Sequence, residues 1–215
     1  MLRSKNFTFM CILLIYLFVV SARANVVQYD RNRVVNCNLT CDWNIDPTNC
    51  KFSQECRNVV RTIERKRKES SWRMYYDKVI SYIKSAYGEN PVNLNIVELG
   101  TCWGGNALSL AASFPCCNII AVDPFLAGYD KQDLQSWVFS KLATEWSLSA
   151  EEFSKLYARA MFYDIRMARR HCNYDLIHNY SVPAAVQFAD KSVDFLFVDG
   201  LHTYDGVVED ITVRL

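Results

Sequence analysis

The chain has 215 residues, 51% of them hydrophobic and 22% charged, with a formal net charge of +1. This composition is globular, offers enough chain for one sizeable domain, and sets aside disordered and fibrous classes. Near-neutral charge gives no reason to expect nucleic acid or an anionic membrane surface as a partner.

Residues 1–24 stand apart from the rest. Arg3 and Lys5 precede an apolar run from Phe9 to Val20, and Ala22-Arg23-Ala24 follows it with small residues at the spacing signal peptidase accepts. The run is shorter than the roughly 20 apolar residues a bilayer span needs. A signal peptide cleaved after Ala24 is therefore expected, with no stable membrane span left and the mature chain in the secretory pathway. Residues 25–57 are polar and irregular, with Cys37, Cys41, Cys50 and Cys56 close together. Behind a secretory signal, disulfides are a better reading than zinc. The spacing C-x3-C-x8-C-x5-C is not that of a zinc ribbon, and the three possible pairings stay open. Asn38-Leu39-Thr40 is a glycosylation sequon inside this segment.

The main domain is expected over 58–215. It opens with a helix over 58–88, first charged (Arg61, Glu64, Arg65, Lys66, Arg67, Lys68, read as a solvated face), then amphipathic. In the second part Trp72, Tyr75, Tyr76, Val79, Ile80, Tyr82 and Ile83 recur at spacings of three and four. Gly88, Asn90 and Pro91 stop it. Ile96-Val97-Glu98-Leu99 reads as a buried strand, and Gly100-Thr101-Cys102-Trp103-Gly104-Gly105 as a glycine-rich turn that opens an Ala/Leu-rich helix ending at Pro115. Such a turn lets backbone N–H groups approach a ligand, since glycine has no Cβ in the way. It is equally compatible with an ordinary strand–helix connection.

Asn118–Val122 is a continuous apolar run, the mark of a strand covered on both faces in a parallel sheet, and it ends in Asp123-Pro124. Residues 126–170 are mostly helical, with a break near Ser147-Leu148-Ser149 and a capping box, Ser149 to Glu152, starting a new helix. Trp137, Trp146 and Tyr157 in this insert could cover a substrate or belong to the core. Tyr174–His178 is a third strand, Ser181–Phe188 its helix, and Val193–Val198 the most apolar strand, ending in Asp199-Gly200-Leu201-His202. A last helix begins near Tyr204. Cys116, Cys117 and Cys172 are taken as buried free thiols. Strands alternating with helices give an α/β fold, a Rossmann-like doubly wound and mostly parallel sheet.

Three acids, Glu98, Asp123 and Asp199, stand at or near the carboxyl ends of three apolar strands, the rim on which open α/β sheets bind ligands. A lone acid there usually caps a helix or meets an arginine, because burying an unpaired carboxylate is costly. Three together point to a ligand. Asp123 sits about twenty residues past the glycine turn, where such folds place the acid that takes a ribose diol. The turn lacks the G-x-G-x-x-G spacing that brings backbone against a pyrophosphate, which weighs against a nicotinamide dinucleotide.

Glu98-Leu99-Gly100-Thr101-Cys102-Trp103-Gly104-Gly105-Asn106 resembles the first motif of class I S-adenosylmethionine-dependent methyltransferases, and Ile120–Pro124 the second. Val193–Tyr204 is similar to the D-F-[IL]-F-[IV]-D-G-x-H-x-Y form of the macrocin-type sugar O-methyltransferases, relatives of the catechol type. The resemblance covers about 72–215. It implies S-adenosylmethionine as cofactor, with Glu98, Gly100, Thr101 and Gly104 shaping the methionine pocket, Asp123 holding the ribose and Ser181 at the adenine. It further implies Asp199 as ligand of a divalent metal, magnesium being the expected ion, and His202 as general base toward a small-molecule or glycan hydroxyl.

Three departures accompany it. Many relatives read D-G-D-H where this chain has Leu201, and the family's seven-strand sheet needs strands beyond the fourth, so the chain is expected to be C-terminally incomplete. Asn179-Tyr180-Ser181 replaces the usual G-D-S and is a formal sequon expected to stay unmodified. A secreted binding protein that keeps part of the fold without turnover is the competing reading.

Overall fold

The computed structural model describes residues 54–69, 73–131 and 133–212. The expected signal peptide, Cys37, Cys41, Cys50, the sequon at Asn38 and Trp72 lie outside the described residues.

The helical stretch expected over 58–88 is two helices, α1 (Gln54–Glu69) and α2 (Arg73–Tyr87). Helix α1 starts ahead of the boundary expected at residue 57. It buries Cys56, Val59 and Ile63, one stripe at helical spacing. Helix α2 buries Val79 and Ile83, while Tyr82, counted in the apolar stripe, is 52% exposed. The βα units follow: β1 (Asn95–Leu99), α3 (Gly105–Ser113), β2 (Asn118–Val122), α4 (Leu134–Glu145), α5 (Ala150–Phe162), a π-helical turn (Tyr163–Ala168), β3 (Tyr174–Ile177), α6 (Ser181–Ala185), β4 (Phe195–Val198) and α7 (Tyr204–Thr212). The capping box at Ser149 is formed: its hydroxyl accepts from the Glu152 N–H and the Glu152 carboxylate accepts from the Ser149 N–H.

The four strands form one sheet, all parallel, in the order β3-β2-β1-β4. Alternate side chains serve opposite faces, as the pleat requires. Ile96, Ile119, Ala121 and Tyr174 join the larger core under α1 to α5, whereas Val97, Leu99, Ile120, Val122 and Ile177 join Ala184, Ala185 and Phe188 on the other side. Every residue of β1 and β2 is buried. Strand β4, the most apolar in sequence, is only half-buried along its length, because among the described residues it pairs with β1 alone.

Register carries this frame to the site. Leu99 lies opposite Val122 on one side and Val198 on the other, and Val122 lies opposite Ile177. The next residues, Gly100, Asp123, His178 and Asp199, therefore emerge along one edge of the sheet. The chain runs from β1 outward through β2 to β3, then returns to β4 on the far side of β1, which makes the β1–β4 crevice the switch point where ligands enter such sheets.

The insert between β2 and β3 answers the question left open in sequence. Tyr157 is fully buried and meets Phe125, Phe139 and Phe153 at ring centroid separations of 4.9, 5.0 and 5.4 Å. Trp146 stacks on Phe153 at 5.6 Å. Both are core, while Trp137 is 58% exposed. Two of the three thiols read as free are not: Cys116 and Cys172 are disulfide-bonded, as is Cys56, whereas Cys102 and Cys117 are free. Spacing along the chain does not show which thiols a fold brings within bonding reach.

Candidate active site

The turn after β1 is bent by backbone that only some residues accept. Gly100 and Gly104 have φ of 82° and 67°, the left-handed region that favours glycine. A Cβ on Gly100 would overlap the Asp199 carbonyl, and one on Gly104 would press on the Met161 sulfur. Cys102 also lies at positive φ, 49°, a strained conformation for a residue with a side chain. It is held there because its N–H donates to Asp123 Oδ2 at 2.9 Å. Asp123 Oδ1 accepts from the Phe125 N–H at 2.6 Å. One carboxylate thus ties the turn after β1 to the loop after β2.

Glu98 lies just beneath the turn. Its Oε1 accepts from Asn106 Nδ2 at 2.9 Å. Its Oε2, the Thr101 hydroxyl and the Asn106 carbonyl oxygen are all buried and make no hydrogen bond. Burial pushes the Glu98 carboxyl up to about 7; the neighbouring Thr101 and Asn106 side chains oppose this, and repulsion from Asp199 and Asp123 adds to it. Burial likewise lifts Asp123 to about 6 against the backbone N–H groups that hold it. No cation figures among the groups acting on either acid. The charges stay uncompensated within the described residues, the state expected of a pocket that takes a cationic or hydroxyl-bearing ligand.

Asp199 closes the row. Its N–H donates to the Leu99 carbonyl at 2.8 Å. Its Oδ1 stands 3.2 Å from His202 Nε2, and that hydrogen bond raises the imidazole pKa although partial burial opposes it. Both side chains are half or more exposed. The metal expected at Asp199 does not find its ligands here. Among the described residues no three His, Cys, Asp or Glu side chains come together to hold an ion. Asp199 has His202 beside it where a metal needs several oxygen ligands, so the described residues do not fit a divalent ion.

Ser181, expected at an adenine, is the first residue of α6, which follows β3. Several neighbours of the site escaped sequence reading. Asn106 is the partner of Glu98. Tyr129 donates to Asp133 Oδ2 at 2.7 Å, close enough to the site that Asp123 contributes to raising its pKa, after burial and Asp133. His178 follows β3 and lies 2.6 Å from Ser154 Oγ. Only Asn106 had a signal in sequence, as the last residue of the glycine motif.

A parallel, doubly wound sheet with a glycine turn after its first strand and acids along the carboxyl rim is the frame of a class I S-adenosylmethionine-dependent methyltransferase. Residues 97–215 match the model of a family described as a methyltransferase domain, Methyltransf_24, and the chain belongs to that family. No curated protein matches the chain.

Proposed function

We propose that this chain is an O-methyltransferase of the macrocin type, working in the secretory pathway on a hydroxyl of a sugar or small molecule. One observation carries the donor half of this reading. Two buried carboxylates without a cation flank a turn in which Glu98 Oε2 and two further polar atoms, Thr101 Oγ1 and Asn106 Oδ1, are buried without partners. S-adenosylmethionine fits this lining: an ammonium suits the free acceptors by Glu98, and a ribose diol suits the remaining lone pairs of Asp123. When bound, that donor supplies an electrophilic methyl on a sulfonium centre. The chain's residues must then hold the acceptor oxygen in line and remove its proton.

His202 is the base in this proposal and Asp199 its positioning residue. With Nε2–H donating to Asp199, the free lone pair sits on Nδ1, which receives the hydroxyl proton, and the carboxylate stabilises the imidazolium that results. Exposure of both side chains leaves room for an acceptor to reach them. The experiment is methyl transfer from labelled S-adenosylmethionine to a panel of sugars and phenols, with S-adenosylhomocysteine binding measured alongside. Transfer to a hydroxyl supports the proposal. Binding without transfer to any acceptor favours a secreted binding protein, and absence of binding overturns the donor site.

A further inference from the structure

Helix α1 precedes the residues matched by the methyltransferase family, yet it reaches the glycine turn. Arg67, read in sequence as part of a solvated basic face, is turned inward, its side chain only 11% exposed. Its Nη1 donates to Asp164 Oδ2 at 2.7 Å and its Nε to the Trp103 carbonyl at 3.0 Å. Asp164 is fully buried, sits in the π-helical turn after α5, and accepts from Arg169 Nε at 3.2 Å with its other oxygen. Arg169 in turn donates to Glu64 at 3.0 Å, back on α1. A π-turn inside a helix often marks a functional position; here it carries the carboxylate that two arginines share.

What Arg67 grips is the backbone that makes the turn. The Trp103 carbonyl belongs to the same peptide as the Gly104 N–H, which donates to the Thr101 carbonyl at 2.7 Å. The preceding carbonyl, Cys102, accepts from the Tyr157 hydroxyl at 3.3 Å. Met161 fills the space under Gly104 and also touches Arg67 Nη2. Turning the Trp103–Gly104 peptide over would break the Gly104-to-Thr101 hydrogen bond that closes the turn. The planar guanidinium holds a carbonyl and a carboxylate at fixed relative positions, which a lysine ammonium cannot do in the same way.

We infer that Arg67 is a positioning residue for the donor site: anchored on Asp164, it fixes the Trp103 carbonyl and keeps the Thr101–Gly104 turn in its ligand-binding shape. The helix ahead of the methyltransferase domain thereby contributes to donor affinity. The inference rests on the donor reading of the turn.

The test separates positioning from plain stabilisation. S-adenosylhomocysteine binding by calorimetry, well below the unfolding midpoint, is compared with urea unfolding for the full chain and for R67K, D164N and R169K. R169K weakens the outer limb of the network without touching the turn. R67K and D164N are expected to bind about tenfold more weakly, the loss that goes with one misaligned buried hydrogen bond. R169K is expected to unfold earlier but to bind within about twofold of the parent. Two substitutions on different elements keep the test open should one of them not fold. Parent-like affinity in R67K or D164N, or losses that merely follow stability across all three, overturns the inference. A parent chain that does not bind overturns the donor reading and this inference together.

Discussion

Glu98 offers the sharpest test of the site, because its substitution should act in opposite directions on stability and on binding. An acid held near 7 instead of 4.5 still carries its proton in the folded chain at pH values where the unfolded chain has lost it. Stability therefore falls as pH rises from about 4.5 to about 7, and the full penalty of about 3 kcal/mol is present at pH 8. Glu98→Gln removes the charge but keeps an oxygen for the Asn106 amide. Its new N–H₂ can donate to the Thr101 hydroxyl, which now has no partner. Urea unfolding of parent and variant at pH 5 and pH 8 isolates the effect. The variant's advantage should grow by about 2 kcal/mol between the two conditions, while its affinity for S-adenosylhomocysteine falls about tenfold. A stability difference that does not change with pH would refute the claim that Glu98 is an uncompensated buried acid.

Gly100→Ala should lower stability by at least about 2 kcal/mol, since it forces a Cβ into a left-handed backbone and into the Asp199 carbonyl; thermal unfolding reads this, and a parent-like midpoint would show that the β1–β4 approach is looser. His202→Asn should abolish methyl transfer and leave S-adenosylhomocysteine affinity within about twofold, because His202 touches Asp199 and not the turn. Transfer by the parent should rise with pH, since the base must be neutral and Asp199 holds its pKa above the ordinary value; a profile that falls through neutrality would remove His202 from the role.

Much of the frame was legible in the sequence for a physical reason. Strands β1 and β2 are continuous apolar runs because they are buried on both faces, and the acids that follow them stand out against that background. The capping box at Ser149 could be read for the same reason: both partners lie within one turn of chain. What could not be read depends on contacts between distant residues. Arg67 and Asp164 are 97 positions apart, and nothing in a basic helical run shows which residue turns inward. Strand β4 is only half-buried despite its apolar sequence because it has one described neighbour.

Asp123 joins the turn after β1 to the loop after β2 through its two oxygens, and its remaining lone pairs are those proposed to take the ribose. Calorimetric binding of S-adenosylhomocysteine to the full chain and to Asp123→Ala, both checked for folding by circular dichroism, measures this directly. Loss of two charge-assisted hydrogen bonds predicts affinity at least about a hundredfold weaker in the variant. Equal affinities in a folded variant would contradict the assignment of this rim as the donor site.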